Sequence, residues 1–138
     1  MILVDSSIWI DQLARRETLE TQAFERLLMA EQDIGVGDLV MMEVLQGTRD
    51  DHAFGAALAH LSGFEKVQIC DHQVAEAAAR NYRNLRAKGA TVRKTIDVLI
   101  ATRCLLSDHE LLFRDRDFQP FVEHFGLRSA VPLAFGTH

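Results

Sequence analysis

The chain has 138 residues, 48% of them apolar and 25% charged, with a formal net charge of −5. That length and composition fit a single globular domain spanning 1–138 with a core of its own, and they exclude a disordered chain. The acidic balance argues at first against a nucleic-acid partner, no run approaches the ~20 apolar residues of a membrane span, and the start Met1-Ile2-Leu3-Val4 lacks the basic region of a secretory leader, so a cytoplasmic location is expected.

Residues 2–5 form an apolar run of the buried parallel-strand type, and Ser6 or Ser7 can cap the helix that follows, with Ile8, Trp9 and Leu13 facing inward. A second helix is expected over about 18–31, with Phe24, Leu27 and Leu28 on one face. Residues 33–36 form a short strand. Asp38 can cap a helix running to Gln46, where Gly47 stops it. Another amphipathic helix covers 50–62, and residues 67–69 are strand-like. Asp71 can cap a long helix through Lys88, stopped by Gly89, and Thr95 can cap a helix over 96–106. Residues 110–113 form a further strand, 117–125 a short helix, and 127–129 a last edge strand. Strands alternating with helices predict an α/β fold: a three-layer α/β/α sandwich on a mostly parallel sheet of four to five strands.

Four acids interrupt or border apolar runs. Asp5 follows Ile2-Leu3-Val4, Glu43 stands between Met42 and Val44, Asp97 precedes Val98-Leu99-Ile100-Ala101, and Asp115 comes just after Leu111-Leu112-Phe113. Carboxylates are seldom buried without a partner. Singly, Asp5, Asp97 and Asp115 read as caps or turn residues, but Glu43 in mid-helix has no capping role. In a parallel α/β fold ligands bind beyond the carboxyl ends of the strands, where all four could converge. Oxygen donors without histidines select a hard cation, Mg²⁺ or Mn²⁺. Asp117 is a fifth acid, for which a helix cap is the plainer role. His52, His60, His72, His109, His124 and His138 show no zinc-site spacing, and Cys70 and Cys104 belong to no CxxC pair. Between Glu76 and Asp97 there is no acid, while Arg80, Arg83, Arg86, Lys88, Arg93 and Lys94 all fall there. That run is either a solvated helix face or a phosphate-tracking rim beside the acids.

These residues resemble the motifs of the PIN-domain ribonucleases, and within them the VapC-type toxins of bacterial toxin–antitoxin pairs. Ile2-Leu3-Val4-Asp5-Ser6-Ser7 resembles the first motif, with Ile8-Trp9-Ile10-Asp11 similar to what often follows it. Glu43-Val44-Leu45-Gln46-Gly47 resembles the second, Asp97-Val98-Leu99-Ile100-Ala101 the third, and residues 111–118 around Asp115 the fourth. The motifs keep the family's order across nearly the whole chain. One position departs: Phe113 stands where the family often has Thr or Ser, so a hydrogen bond behind the site is missing or comes from another group.

The resemblance implies a Mg²⁺- or Mn²⁺-dependent endoribonuclease. Asp5 and Asp97 would be central ligands, Glu43 and Asp115 further ligands, Ser7 and Asp117 supporting groups, and Arg93, Lys94, Arg114 and Arg116 contacts to the substrate backbone. It also implies an RNA substrate such as tRNA or ribosomal RNA, a homodimer, and a cognate VapB-type antitoxin through which alone operator DNA would be bound. The faces around Trp9, Leu13, Phe24, Leu27 and Leu28 could take an antitoxin helix, core packing being the plainer role for most of them. The alternatives are an inactive PIN-fold binding module and a phosphotransferase with Asp5 as nucleophile. Ser7 stands where the latter would want a second acid.

Overall fold

The computed structural model describes residues 1–130; residues 131–138, including His138, lie outside the described part. Four strands, β1 (Ile2–Val4), β2 (Ile34–Gly37), β3 (Glu65–Val67) and β4 (Glu110–Leu112), form one sheet in the order β3-β2-β1-β4. Every pairing is parallel: Ile2 faces Ile34 and Glu110, and Gly35 faces Glu65. The expected strand at 127–129 is reduced to a single parallel bridge from Ser129 to Leu111.

Each strand leads to the next through a pair of helices. The helices α1 (Ser6–Leu13) and α2 (Leu19–Met29) link β1 to β2, and α3 (Asp38–Gln46) and α4 (Asp51–Leu61) link β2 to β3. The last crossover uses α5 (His72–Ala87) and α6 (Thr95–Ser107). After β4 come a 3₁₀ turn (Arg116–Phe118) and α7 (Gln119–Phe125). With α5 packed on α6 and α1–α4 packed among themselves, the sheet is the middle layer of an α/β/α sandwich. The chain steps outward from β1 to β2 and β3, then returns to the other side of β1. The switch point therefore falls between β1 and β4, where parallel α/β folds open a crevice.

Core packing fixes that crevice. Trp9 is fully buried, its ring edge-on to Phe24 and Phe64 at 4.9 Å, and its indole N–H donates to the Val4 carbonyl at 3.1 Å. The bond ties α1 to the last residue of β1. Trp9 and Phe24 are thus core residues closed to any partner, whereas Leu13 is 36% exposed and Leu27 and Leu28 are partly buried. At Gly37 an added Cβ would lie 2.6 Å from Ile69 Cδ1, so a side chain there would have to displace Ile69.

Several boundaries differ from the expected ones for local reasons. The third strand is Glu65–Val67, not 67–69, because Ile69 leaves the ladder: its N–H goes to Asp38 Oδ1 at 2.9 Å and its carbonyl accepts from Arg103 Nε at 3.1 Å. Asp38 thus spends its carboxylate on Ile69 and Leu39, and Gly37 holds the cap position of α3. Neither Ser6 nor Ser7 caps α1, whose cap position is Asp5, and Lys94 rather than Thr95 precedes α6. Asp71 does cap α5, accepting from the Val74 N–H at 2.9 Å, and Gly89 follows with φ +77°. The cap before the 3₁₀ turn is Asp115, whose Oδ1 accepts the Asp117 N–H at 2.9 Å; Asp117 itself caps nothing.

Replacing Trp9 with Ala removes a large buried ring and the bond to Val4, and should cost about 3–5 kcal/mol of unfolding free energy. Urea unfolding followed by circular dichroism would measure it; a loss under 1 kcal/mol would show that α1 is held by other contacts.

Candidate active site

The switch point gathers the acids from four separate pieces of chain. Asp5 follows β1, its backbone N–H bonded to the Leu112 carbonyl at 3.0 Å, so β4 holds it beside its own strand. Asp115 lies three residues past the end of β4, Asp97 in the first turn of α6, and Glu43 in the middle of α3. The residues Asp5 and Asp97 are 5% and 4% exposed, while Glu43 and Asp115 are half-buried.

The carboxylates act on one another. Burial pushes the Asp97 carboxyl up to about 7, aided by the charge of Asp5 and then of Asp115 and Glu43, with Lys94 opposing. Asp5 rises to about 6, chiefly by burial, with Glu43 and Asp115 adding to the rise and the Ser6 N–H and Ser7 hydroxyl opposing it. The Ser7 Oγ donates to Asp5 Oδ2 at 3.2 Å. Ser7 therefore orients an acid rather than capping a helix.

Two carboxylate oxygens, Glu43 Oε1 and Asp97 Oδ2, are buried without a hydrogen-bond partner. Such oxygens cost stability unless a cation or proton meets them. Asp97, Asp115 and Asp117 each offer an oxygen within 4.8 Å of the others, the spacing at which several carboxylates share one ion. The donor set, all oxygen, fits a hard divalent cation. Asp117 thus joins the acids directly, a placement its position two residues after Asp115 did not reveal.

The basic residues divide. Arg93 Nε donates to Asp117 Oδ2 at 3.1 Å, which brings the loop before α6 against the acids. Lys94 stabilises the Asp97 carboxylate by its charge. Arg114 instead turns to Asp11, a buried acid on α1 that also accepts from Arg16 Nη1 at 3.0 Å. Asp11 was absent from the expected site. Its signal was an acid three residues after the inward-facing Ile8, in phase with the buried face of α1. Phe113, at the departing motif position, is buried against Phe118, ring centroids 5.2 Å apart, so packing replaces a polar contact there.

An all-parallel α/β sandwich with clustered carboxylates at its switch point defines a class of acid-site α/β proteins suited to divalent-cation chemistry. Within that class, a PIN domain profile matches residues 2–121, and the chain belongs to the PIN-domain family. It is 30% identical over 131 residues to the VapC ribonuclease Mb1587 of Mycobacterium bovis, and equally to the ribonuclease VapC11 of Mycobacterium tuberculosis, spanning 94% of this chain and 98% of each relative. Its fold is similar to that of a toxin–antitoxin complex from Klebsiella pneumoniae, with TM-score 0.70, 21% identity, and coverage of 96% of this chain and 100% of that one. It is also similar to VapBC2 from Rickettsia felis, solved with a DNA fragment from its promoter, with TM-score 0.70, 18% identity, and coverage of 86% and 92%.

Because the carboxyls of Asp5 and Asp97 titrate well above the ordinary 3.8, the folded, cation-free protein holds protons that the unfolded chain has lost. Stability should therefore fall as pH rises from about 4 to about 7 and level off above it. A divalent cation replaces those protons, so Mg²⁺ or Mn²⁺ should raise the melting temperature more at pH 8 than at pH 5. Asp97→Asn should flatten the pH slope and remove most of the cation-induced rise. Thermal melts at both pH values check this; an equal rise in wild type and variant would place the cation elsewhere.

Proposed function

We propose that the chain is the ribonuclease toxin of a toxin–antitoxin pair, an endoribonuclease of the VapC kind that hydrolyses RNA phosphodiester bonds with Mg²⁺ or Mn²⁺. The observation that carries the chemistry is the pair of buried, unpartnered oxygens, Glu43 Oε1 and Asp97 Oδ2, among further acids at the switch point. Support for the family-level activity comes from the two mycobacterial ribonucleases, matched along nearly the full length of both chains. The toxin–antitoxin setting is favoured by the same relatives and by the shared fold of the Klebsiella and Rickettsia proteins.

In this reading Asp5, Glu43, Asp97 and Asp115 hold the cation, with Asp5 and Asp97 central because they are the most buried. A bound divalent cation supplies charge stabilisation at the scissile phosphate and lowers the pKa of an attacking water. The chain's own groups set the stage. Ser7 fixes the rotamer of Asp5, Asp115 holds the turn that presents Asp117, and the charge of Lys94 favours the ionised form of Asp97 against burial and the neighbouring acids. Arg93 is placed to exchange Asp117 for a substrate phosphate, since charge-assisted bonds to either are of similar strength. Arg116 is a candidate substrate-backbone contact beside Asp115 in sequence, whereas the Arg114 guanidinium is engaged with Asp11. The substrate is RNA, with tRNA or ribosomal RNA as candidates, and the partners are a VapB-type antitoxin and a second copy of the chain. The reading places the protein in the cytoplasm as one domain; no helix among the described residues is long and apolar enough to cross a membrane.

The test is cleavage of total RNA by antitoxin-free protein, wild type beside Asp97→Asn, in Mg²⁺, Mn²⁺ or EDTA. Wild type should give discrete fragments only with metal, and the variant should lose at least about a hundredfold in rate, the scale of losing a preorganised charge-stabilising group. Equal cutting by both proteins would overturn the assignment of the site. Cation binding without any cutting would favour an inactive PIN-fold module.

A further inference from the structure

Six of the 15 basic residues lie within 77–96, and none of the 20 acids does. All six, Arg80, Arg83, Arg86, Lys88, Arg93 and Lys94, are exposed. Solvated helix faces tend to mix signs, as α2 does with Glu20, Glu25 and Arg26. Here a chain with net charge −5 concentrates positive charge in one stretch.

The fold gives that stretch a direction. Arg80, Arg83, Asn84, Arg86 and Ala87 line one open depression of about 520 Å³ on the last two turns of α5. Arg80 to Ala87 covers about 10 Å of helix. The chain then passes through Lys88, whose ammonium stands 5.9 Å from the Phe125 ring, to Arg93 on Asp117 and Lys94 beside Asp97. Positive charge thus runs unbroken by any acid of its own segment from mid-α5 to the rim of the carboxylates. Tyr82, 40% exposed and with Arg86 over its ring at 5.8 Å, lies beside this depression in a neighbouring hollow that Arg83 and Thr95 also line, where a base can stack. Among the described residues Arg80 pairs with Glu76, an exposed i,i+4 ion pair that water and salt screen, so that pair presents little resistance to a phosphate.

We propose that the C-terminal half of α5 and the loop to α6 form a track for the backbone of single-stranded RNA, leading from Arg80 and Arg83 to Arg93 at the acidic site. The proposal rests on reading that site as one that meets RNA. Arginines along the track neutralise successive phosphates, and Tyr82 takes a base without selecting its identity. The acids at the far end repel the same backbone until a cation is bound, so the track supplies attraction that the site itself lacks. Specificity for one RNA then depends on its shape and flanking single strand more than on the nucleotides at the cut.

The experiment is fluorescence anisotropy with a labelled 12-nucleotide single-stranded RNA, across a salt series in EDTA and in Mg²⁺. Wild type is compared with Arg80→Gln/Arg83→Gln and with a control of equal charge loss, Arg15→Gln/Arg26→Gln, at exposed positions away from α5. The track variant should bind at least about tenfold more weakly, and its slope of log K against log salt should drop by about 1.4, two contacts at roughly 0.7 each on a single strand. The control should match wild type in slope. Equal loss in both variants would overturn the track by reducing it to net charge, and so would unchanged binding in the track variant. A track variant that keeps its RNA affinity but loses binding to poly-L-glutamate would assign the face to an acidic polypeptide instead. Circular dichroism melts confirm that each variant is folded. Because the readout is binding, the track stands or falls separately from catalysis: absent cleavage with an intact slope difference refutes the nuclease and leaves the track.

Discussion

Like charges held together at the edge of an apolar core are the constraint on which this structure turns. Asp5 and Asp97 are nearly excluded from water, and the charges of Glu43 and Asp115 bear on both. Left alone, such a group would protonate or push itself apart. It persists because each acid is anchored by backbone that the core fixes. Asp5 is pinned between β1 and β4, Asp97 is the first-turn acid of a well-buried helix, and Glu43 rides on a helix whose Val40 and Val44 are buried. Core packing therefore stores the repulsion that a cation would release, which makes the fold and the proposed chemistry two sides of one electrostatic arrangement.

Asp11 shows the opposite solution a few residues away. It is as buried as Asp5, yet it accepts from both Arg16 and Arg114 and needs no ion. Paired in this way a buried acid is structural; unpaired at a strand end it is available. The contrast also separates the arginines. Arg114 joins the β4 loop to α1 through Asp11, while Arg93 meets Asp117 at the acids themselves. Neighbours of Asp115 in sequence thus face different tasks, and Arg93, 22 residues away, is the basic group bound into its cluster.

The four principal acids were legible because each breaks an apolar run, a signal that burial makes expensive and therefore meaningful. The alternation of strands and helices was legible for the same reason, since buried parallel strands are nearly continuous in apolar residues. Helix caps were less so. At α5 the Asp71 side chain caps as expected, but Asp38, Ser7 and Asp117 all had plausible capping roles and took other partners: Ile69 for Asp38, Asp5 for Ser7, Arg93 for Asp117. A short polar side chain chooses among donors of similar strength, and sequence shows only the nearby ones. The apolar faces of α1 and α2 were ambiguous in the same sense. Periodicity places Trp9 and Phe24 on an inward face, but only packing shows that they meet each other and Phe64, leaving nothing of them for a partner.

By itself, then, the sequence determined the layered α/β fold and which acids must be accounted for, because hydrophobic patterning and misplaced charge are written residue by residue. The order β3-β2-β1-β4 was decided only in three dimensions, and with it the switch point that brings residues 5, 43, 97 and 115 together. So were the entry of Asp117 with its arginine and the diversion of Arg114 to Asp11. These depend on distances between segments far apart in the chain, and a carboxylate's pairing, protonation and use are set by whichever charges the fold delivers within a few ångströms of it.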